Sequence, residues 1–154
     1  IGVEDSVLRK PDKLSPEEYE HIQQHVRIGH RILQDLKKLD NVLPIILYHH
    51  EAWDGSGYPE RLPAEQIPLG ARIVAVADAF DAMNSDRPYR KGMPMEKIES
   101  ILRAGAGRHW DPQVIDAFFQ AKDDILDIVR RERKEIPAAW LAGSASVPAA
   151  PQCL

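Results

Sequence analysis

LGARIVAVADAFDAMNS, residues 69–85, has no alternation of apolar and polar positions and reads as a buried helix, apolar on most sides. Between Ile73 and Met83 only Asp78 and Asp81 are polar. A carboxylate buried on such a helix is costly unless it is paired or holds a metal ion. Asp81 lies three residues on, close to the same face, and a salt bridge from Arg72 or Arg87 to one of the two acids is the plain structural alternative.

The same periodicity runs outward in both directions. Upstream, Ser15-Pro16-Glu17-Glu18 is a helix start, with Ser15 as N-cap, Pro16 in the first turn and Glu18 closing a capping box. Tyr19, Ile22, Val26, Gly29, Leu33 and Leu36 follow at steps of three and four, which predicts an amphipathic helix. A second helix is expected over 41–51, with Pro44 tolerated in its first turn. Residues 52–68 are rich in Gly and Pro and form a structured loop of about 17 residues, a length usually associated with function. Downstream, a helix over 95–104 precedes Gly105 and Gly107. Asp111-Pro112 then caps a last helix to 134, with Val114, Ile115, Phe118, Phe119, Ile125, Leu126 and Val129 on its core side. The class is all-α, a bundle of about five helices in one domain over 1–136. The small, Pro-containing, nearly uncharged segment 137–154 is expected to be a disordered tail.

Bulk composition narrows the function. Of the 154 residues, 44 % are apolar and 29 % charged, which fits a globular protein. A net charge of −4 argues against DNA binding, so an anionic ligand needs a local cluster of Arg or metal ions. The single Cys153 excludes an internal disulfide and all-cysteine metal sites. No apolar run reaches the roughly 18 residues of a membrane span, and a cytoplasmic setting is expected. The first residue is Ile rather than Met, so a cut or processed end of a larger protein is expected.

VLPIILYHHEAWDGSGYP, residues 42–59, carries the most unusual chemistry: an apolar run ending on paired imidazoles and a Gly-rich loop. Adjacent helical residues point about 100° apart, so His49 and His50 are expected to ligate two neighbouring ions, or one to ligate while the other meets substrate. His25 falls on the core side of the first helix. His25, His49, His50 and Asp78 thus come from three helices, and mixed imidazole and carboxylate ligands suit Fe, Mn or Zn. Two such ions about 3.5–4 Å apart would make a phosphoester hydrolysis site. His21 and His25, at i and i+4, are a rival pair for a single zinc ion. After the Asp-bearing helix, Arg87, Arg90 and Lys91 supply the local basic patch that a phosphate needs, unless Arg87 pairs with Asp86 or Asp81.

With HHEAWDGSGYP, ARIVAVADAFDAM, SDRPYR and a Gly-rich segment ending in Trp-Asp-Pro, the sequence resembles the HD-GYP family, a branch of the HD superfamily of metal-dependent phosphohydrolases. The signature HHExxDGxGYP is complete, and the resemblance covers residues 1–130. It departs from the family in Trp110-Asp111-Pro112, where Phe-Asp-Pro is more usual, and in His25-Val26-Arg27-Ile28-Gly29, where His-Pro-x-x-Gly is common. The resemblance implies an all-helical bundle around two or three divalent ions, iron or manganese, with Zn, Mg or Ni as alternatives. It implies metal ligation by His25, His49, His50 and Asp78, and puts Gly57, Tyr58, Pro59, Arg87 and Arg90 near the substrate phosphates. The implied activity is hydrolysis of cyclic di-GMP to the linear dinucleotide or to GMP, with a hydroxide held by the ions as nucleophile rather than a side chain. A diguanylate cyclase docking on the Gly-Tyr-Pro loop and a preceding sensory or receiver domain are the partners it implies. The family's His-Asp-x-Gly-Lys segment normally sits just before an Ile-Gly-Val such as Ile1-Gly2-Val3. The chain is therefore expected to hold the C-terminal two-thirds of the family domain and to be inactive alone. The competing expectation is a non-catalytic module that binds cyclic di-GMP or a signalling protein.

Overall fold

A computed structural model of the chain describes residues 10, 14–36, 38–86 and 91–135. Among these the architecture is all-α, with no strand. Six α-helices follow one another: α1 (Pro16–Leu33), α2 (Leu43–Tyr48), α3 (Leu69–Asn84), α4 (Met95–Gly105), α5 (Pro112–Gln120) and α6 (Lys122–Glu135), with a 3₁₀ turn at Ala64–Gln66. The expected tail at 137–154 lies outside the described residues, as do Arg87 and Arg90. No helix among the described residues is long and apolar enough to cross a membrane.

α1 starts as its sequence dictates. Ser15 Oγ accepts from the Glu18 amide at 3.2 Å, and Glu18 Oε2 accepts from the Ser15 amide at 2.6 Å. Lys10 Nζ holds the same carboxylate at 2.7 Å. Ile22 and Val26, one turn apart, are buried against α2. Gly29 helps them get there, since a Cβ on it would already stand 3.4 Å from Ile46 Cγ2. On its other side α2 meets α3, where a Cβ on Gly70 would lie 2.6 Å from Ile45 Cδ1. Two glycines and two isoleucines thereby stack α1, α2 and α3 at close range.

The far side of α3 faces the main core. Val76, Phe80 and Met83 pack with Ile98 and Leu102 of α4 and with Trp110, Val114, Ile115 and Phe118, while Ile125, Leu126 and Val129 of α6 lie against this cluster. Ile98 and Leu102 are fully excluded from solvent. Asp111 caps α5 by accepting from the Gln113 amide at 2.8 Å, and its other oxygen pairs with Arg72 of α3 at 2.7 Å. Arg72 thus serves Asp111, and Asp81 instead accepts from Ser85 Oγ at 2.9 Å.

Three expectations change. α3 is not buried on most sides: Ala71, Val76, Phe80 and Met83 are inside, but Leu69 and Ile73 are 56 % and 50 % exposed, because α2 on one side and α4 and α5 on the other leave the face of Leu69 and Ile73 uncovered among the described residues. The last helix is two, since Ala121 leaves helical geometry (φ −93°, ψ 6°). The spacing of Phe118 and Ile125, two turns of a continuous helix, carries no sign of that break. The second helix ends earlier than position 51: His49 is already its C-cap and His50 lies in the turn beyond.

Candidate metal centre and its loop

The paired histidines stand at the end of α2, His49 as its C-cap and His50 in the turn beyond. Their rings lie 4.2 Å apart between centroids, with His25 of α1 at 5.8 Å and 5.0 Å from them. One ligand nitrogen from each of His25, His49 and His50 lies within 4.8 Å of the others. Adjacent in sequence, the two rings also lie side by side next to His25. Three ligands on one ion at about 2.1 Å stand about 3.4–3.6 Å from one another, so the nitrogens would close by up to about 1.4 Å to share a single ion.

Backbone carbonyls set the tautomers. His25 Nδ1 lies 2.7 Å from the Ile22 carbonyl and His49 Nδ1 lies 2.9 Å from that of Ile46. A carbonyl oxygen only accepts, so both Nδ1 atoms carry the proton and both Nε2 atoms keep a lone pair. Metal-binding histidines are typically oriented in this way by a second partner. Burial pushes the His50 imidazole down to about 3, helped by the neighbouring His49 and His25. Burial also lowers His49, with the Ile46 carbonyl opposing, His25 adding to the fall and Asp78 opposing it. At neutral pH the His49 and His50 rings are therefore uncharged, as a divalent cation requires. The donor set fits such an ion.

Asp78 is half-buried on α3 and near enough to His49 to act on its charge, yet it does not join the three-histidine group. His21 does not join it either. Lys91, the described member of the expected basic patch, pairs with Asp86 at 2.8 Å on the surface.

The loop after His50 folds back onto the cluster. The Tyr58 amide donates to the His50 carbonyl at 3.1 Å, and the Tyr58 ring stacks on His50 at 5.0 Å and 22°. Tyr19 meets Tyr58 edge-on at 6.4 Å. Tyr58 is only 6 % exposed, so it lies beside the histidines as a packed wall. Gly57 permits this, because a Cβ there would come to 2.5 Å from Glu51 Cα and closer still to the Ala52 nitrogen. Pro59 follows through a cis peptide bond. At the loop's base the amides of Trp53 and Asp54 donate to the carbonyls of His109 and Arg108 at 3.1 Å and 2.9 Å. Asp54 Oδ1 also accepts from the Ser56 amide at 2.9 Å, and the Arg72 guanidinium lies 5.8 Å from the Trp53 ring centroid.

Glu51 is the residue that sequence reasoning passed over. It is 5 % exposed, with Oε1 accepting from the Glu60 amide at 2.7 Å and Oε2 from the Leu62 amide at 3.1 Å. Burial raises its carboxyl above the usual range, and the Glu60, Leu62 and Arg61 amides pull it back. Its place between two histidines and a Gly-rich loop was the available signal.

Comparison with known proteins gives the family. A family model described as HD domain matches residues 4–114. The chain is 44 % identical over 137 residues to a cyclic di-GMP phosphodiesterase of Thermotoga maritima, covering 88 % of this chain and 37 % of that protein. It is 43 % identical over 130 residues to the cyclic di-GMP phosphodiesterase response regulator RpfG of Xanthomonas campestris, covering 83 % of this chain and 34 % of the relative. A 3'3'-cGAMP-specific phosphodiesterase of Vibrio cholerae is 38 % identical over 130 residues, or 83 % of this chain and 25 % of that protein. The chain thus spans about a third of the length of the relatives it matches. It belongs to the HD domain family, in the HD-GYP branch.

Proposed function

We propose that this chain carries the metal-binding core of a phosphodiesterase that hydrolyses cyclic di-GMP to the linear dinucleotide or GMP. The observation that carries the reading is the convergence of His25, His49 and His50, two of them tautomerically fixed, beside a Tyr58 stacked on His50. Asp78, close to His49, is the fourth ligand proposed. Divalent ions there, iron or manganese, supply Lewis acidity toward the phosphoryl group and a water of lowered pKa. The protein's part is to keep His49 and His50 neutral, to aim the Nε2 atoms of His25 and His49, and to wall the cluster on one side with Gly57, Tyr58 and Pro59. Arg87 and Arg90 are the proposed phosphate contacts. The bacterial relatives named for cyclic di-GMP support the substrate class, and such a substrate implies a cytoplasmic setting. The relative named a response regulator supports a receiver domain as neighbour.

A second substrate has its own support, since a relative at 38 % identity is named for 3'3'-cGAMP. The test is turnover by the full-length protein, reconstituted without oxygen with Fe(II) or Mn(II) and offered both cyclic dinucleotides. Hydrolysis of cyclic di-GMP that disappears in His50→Ala along with bound metal is the expected result. No turnover of either compound by metal-loaded protein overturns the reading, and turnover of the mixed dinucleotide alone moves the substrate.

A further inference from the structure

Two acids are buried among the described residues, Glu51 and Asp111. Asp111 is matched by the Arg72 guanidinium at 2.7 Å. The partners recorded for Glu51 are main-chain amides: Glu60 N on one oxygen and Leu62 N on the other, nine and eleven residues away. The residue between those donors, Arg61, has φ 57°, and Ala64 just beyond has φ 48°. Turning Arg61 into the left-handed region lets successive amides point at one anion, a backbone nest closed by the protein's own carboxylate. The same loop brings the Tyr58 amide onto the His50 carbonyl and seats Gly57 on the Glu51–Ala52 backbone. Its outgoing limb is held at Trp53 and Asp54 by residues 108 and 109. Its return limb is held at residues 60 and 62 by the side chain of Glu51, and beside it by the Ala64 amide on the Trp53 carbonyl at 2.8 Å and by Arg27 on the Glu60 carboxylate at 2.8 Å.

We propose that Glu51 is a positioning residue: it latches the return limb of the loop and so holds Tyr58 against the His50 ring. It acts through Tyr58 and His50, and it is neither metal ligand nor general base. Both of its oxygens are already engaged by amides, and it stands outside the group formed by His25, His49 and His50. A carboxylate with two acceptor oxygens suits two amide donors placed on separate oxygens, whereas Gln keeps one acceptor oxygen and turns its own N–H groups toward the other donor. The consequence for turnover rests on the phosphodiesterase reading above. The latch itself does not.

The test compares the wild-type full-length protein with Glu51→Gln. In the wild type, hydrogen exchange at the Glu60 and Leu62 amides is expected to be slow, as for bonded amides in a closed loop. In Glu51→Gln at least one of the two should exchange about tenfold faster or more, the scale of losing a hydrogen bond to a charged group. Bound Mn(II) per chain should stay unchanged. Turnover number should fall by about tenfold or more with KM for the dinucleotide little altered, since misplacement costs rate more than binding. Unprotected Glu60 and Leu62 amides in the wild type overturn the proposal without any variant, which covers the case of a misfolded mutant. Loss of metal from Glu51→Gln with loop protection intact overturns it too, making Glu51 a ligand. If the wild type turns over no cyclic dinucleotide, the phosphodiesterase reading falls while the exchange and metal measurements still decide the latch.

Discussion

Acidifying the metal-free protein should unfold it, and His50 sets much of the slope. Its imidazole is pushed down to about 3 in the folded protein, mainly by burial. An unfolded chain restores the ordinary value near 6.5. The folded value is the lower one, so the unfolded state takes up the proton first. Stability from keeping His50 neutral is then complete above pH 6.5 and lost as pH falls toward 3. Each pH unit in that window costs about 1.4 kcal/mol, or about 2 kcal/mol by pH 5. His49, also lowered by burial, adds in the same direction. Glu51, raised by burial, opposes: its contribution is full below the ordinary carboxylate range and lost as pH rises through its shifted value. Comparing wild type with His50→Gln removes that background. Urea unfolding followed by tryptophan fluorescence, with chelator present at pH 8 and pH 5, is the assay. The wild type should lose about 2 kcal/mol more than the variant between the two, or on the order of 1 M in midpoint. Identical pH dependence in the two proteins would refute the claim that the half-buried His50 is held neutral.

Gly57→Ala places a Cβ against the Glu51–Ala52 backbone, which cannot yield as a side-chain tip would. It should cost about 1–3 kcal/mol in urea unfolding and uncouple the Tyr58 and His50 ring resonances in NMR spectra. Asp111→Ala removes both the partner of Arg72 and the cap of α5, and should cost about 3–5 kcal/mol. A fall in melting temperature of roughly 10 °C checks it, with Asp111→Asn losing less. A divalent ion at a hundred times its dissociation constant should stabilise the protein by about 2.7 kcal/mol. That gain should vanish in His25→Ala, as read by thermal melts with Mn(II) or with chelator.

The helix starts were legible because capping is local. Ser15-Pro16-Glu17-Glu18 and Asp111-Pro112 each contain the groups that satisfy their own first amides. The core side of α5 and α6 was legible from apolar spacing, although the break at Ala121 was not. Of the site, His25, His49 and His50 could be picked out because imidazoles on apolar faces are conspicuous, and the structure brings all three together. What remained hidden was long-range and made by the backbone. His25 of α1 meets the adjacent rings of His49 and His50 across the fold, and the Glu51 carboxylate reaches across to amides nine and eleven residues on. Amide donors have no residue type, so no pattern of letters announces them. The exposed flank of α3 was misread for the opposite reason: apolar letters at Leu69 and Ile73 say that a surface can be buried, not that these residues bury it.

The loop is held by a narrow balance. Arg61 and Ala64 both sit in the left-handed region, where a residue with a Cβ costs about 1–2 kcal/mol. Against roughly 2–4 kcal/mol of strain stand two amide bonds to the Glu51 carboxylate, each about 1.5–3 kcal/mol. Together the bonds exceed the strain by only about 1–2 kcal/mol, so the closed form also rests on Tyr58 against His50, on Trp53 and Asp54 at the 108–109 turn, on the Ala64 amide at the Trp53 carbonyl and on Arg27 at Glu60. One of those ties is a proposed metal ligand. An ion that immobilises the His50 ring steadies the surface on which Tyr58 stacks, and a steadier Tyr58 in turn restrains that ring. Metal and loop therefore reinforce each other through one pair of stacked rings, with Glu51 offsetting the strain that would pull them apart.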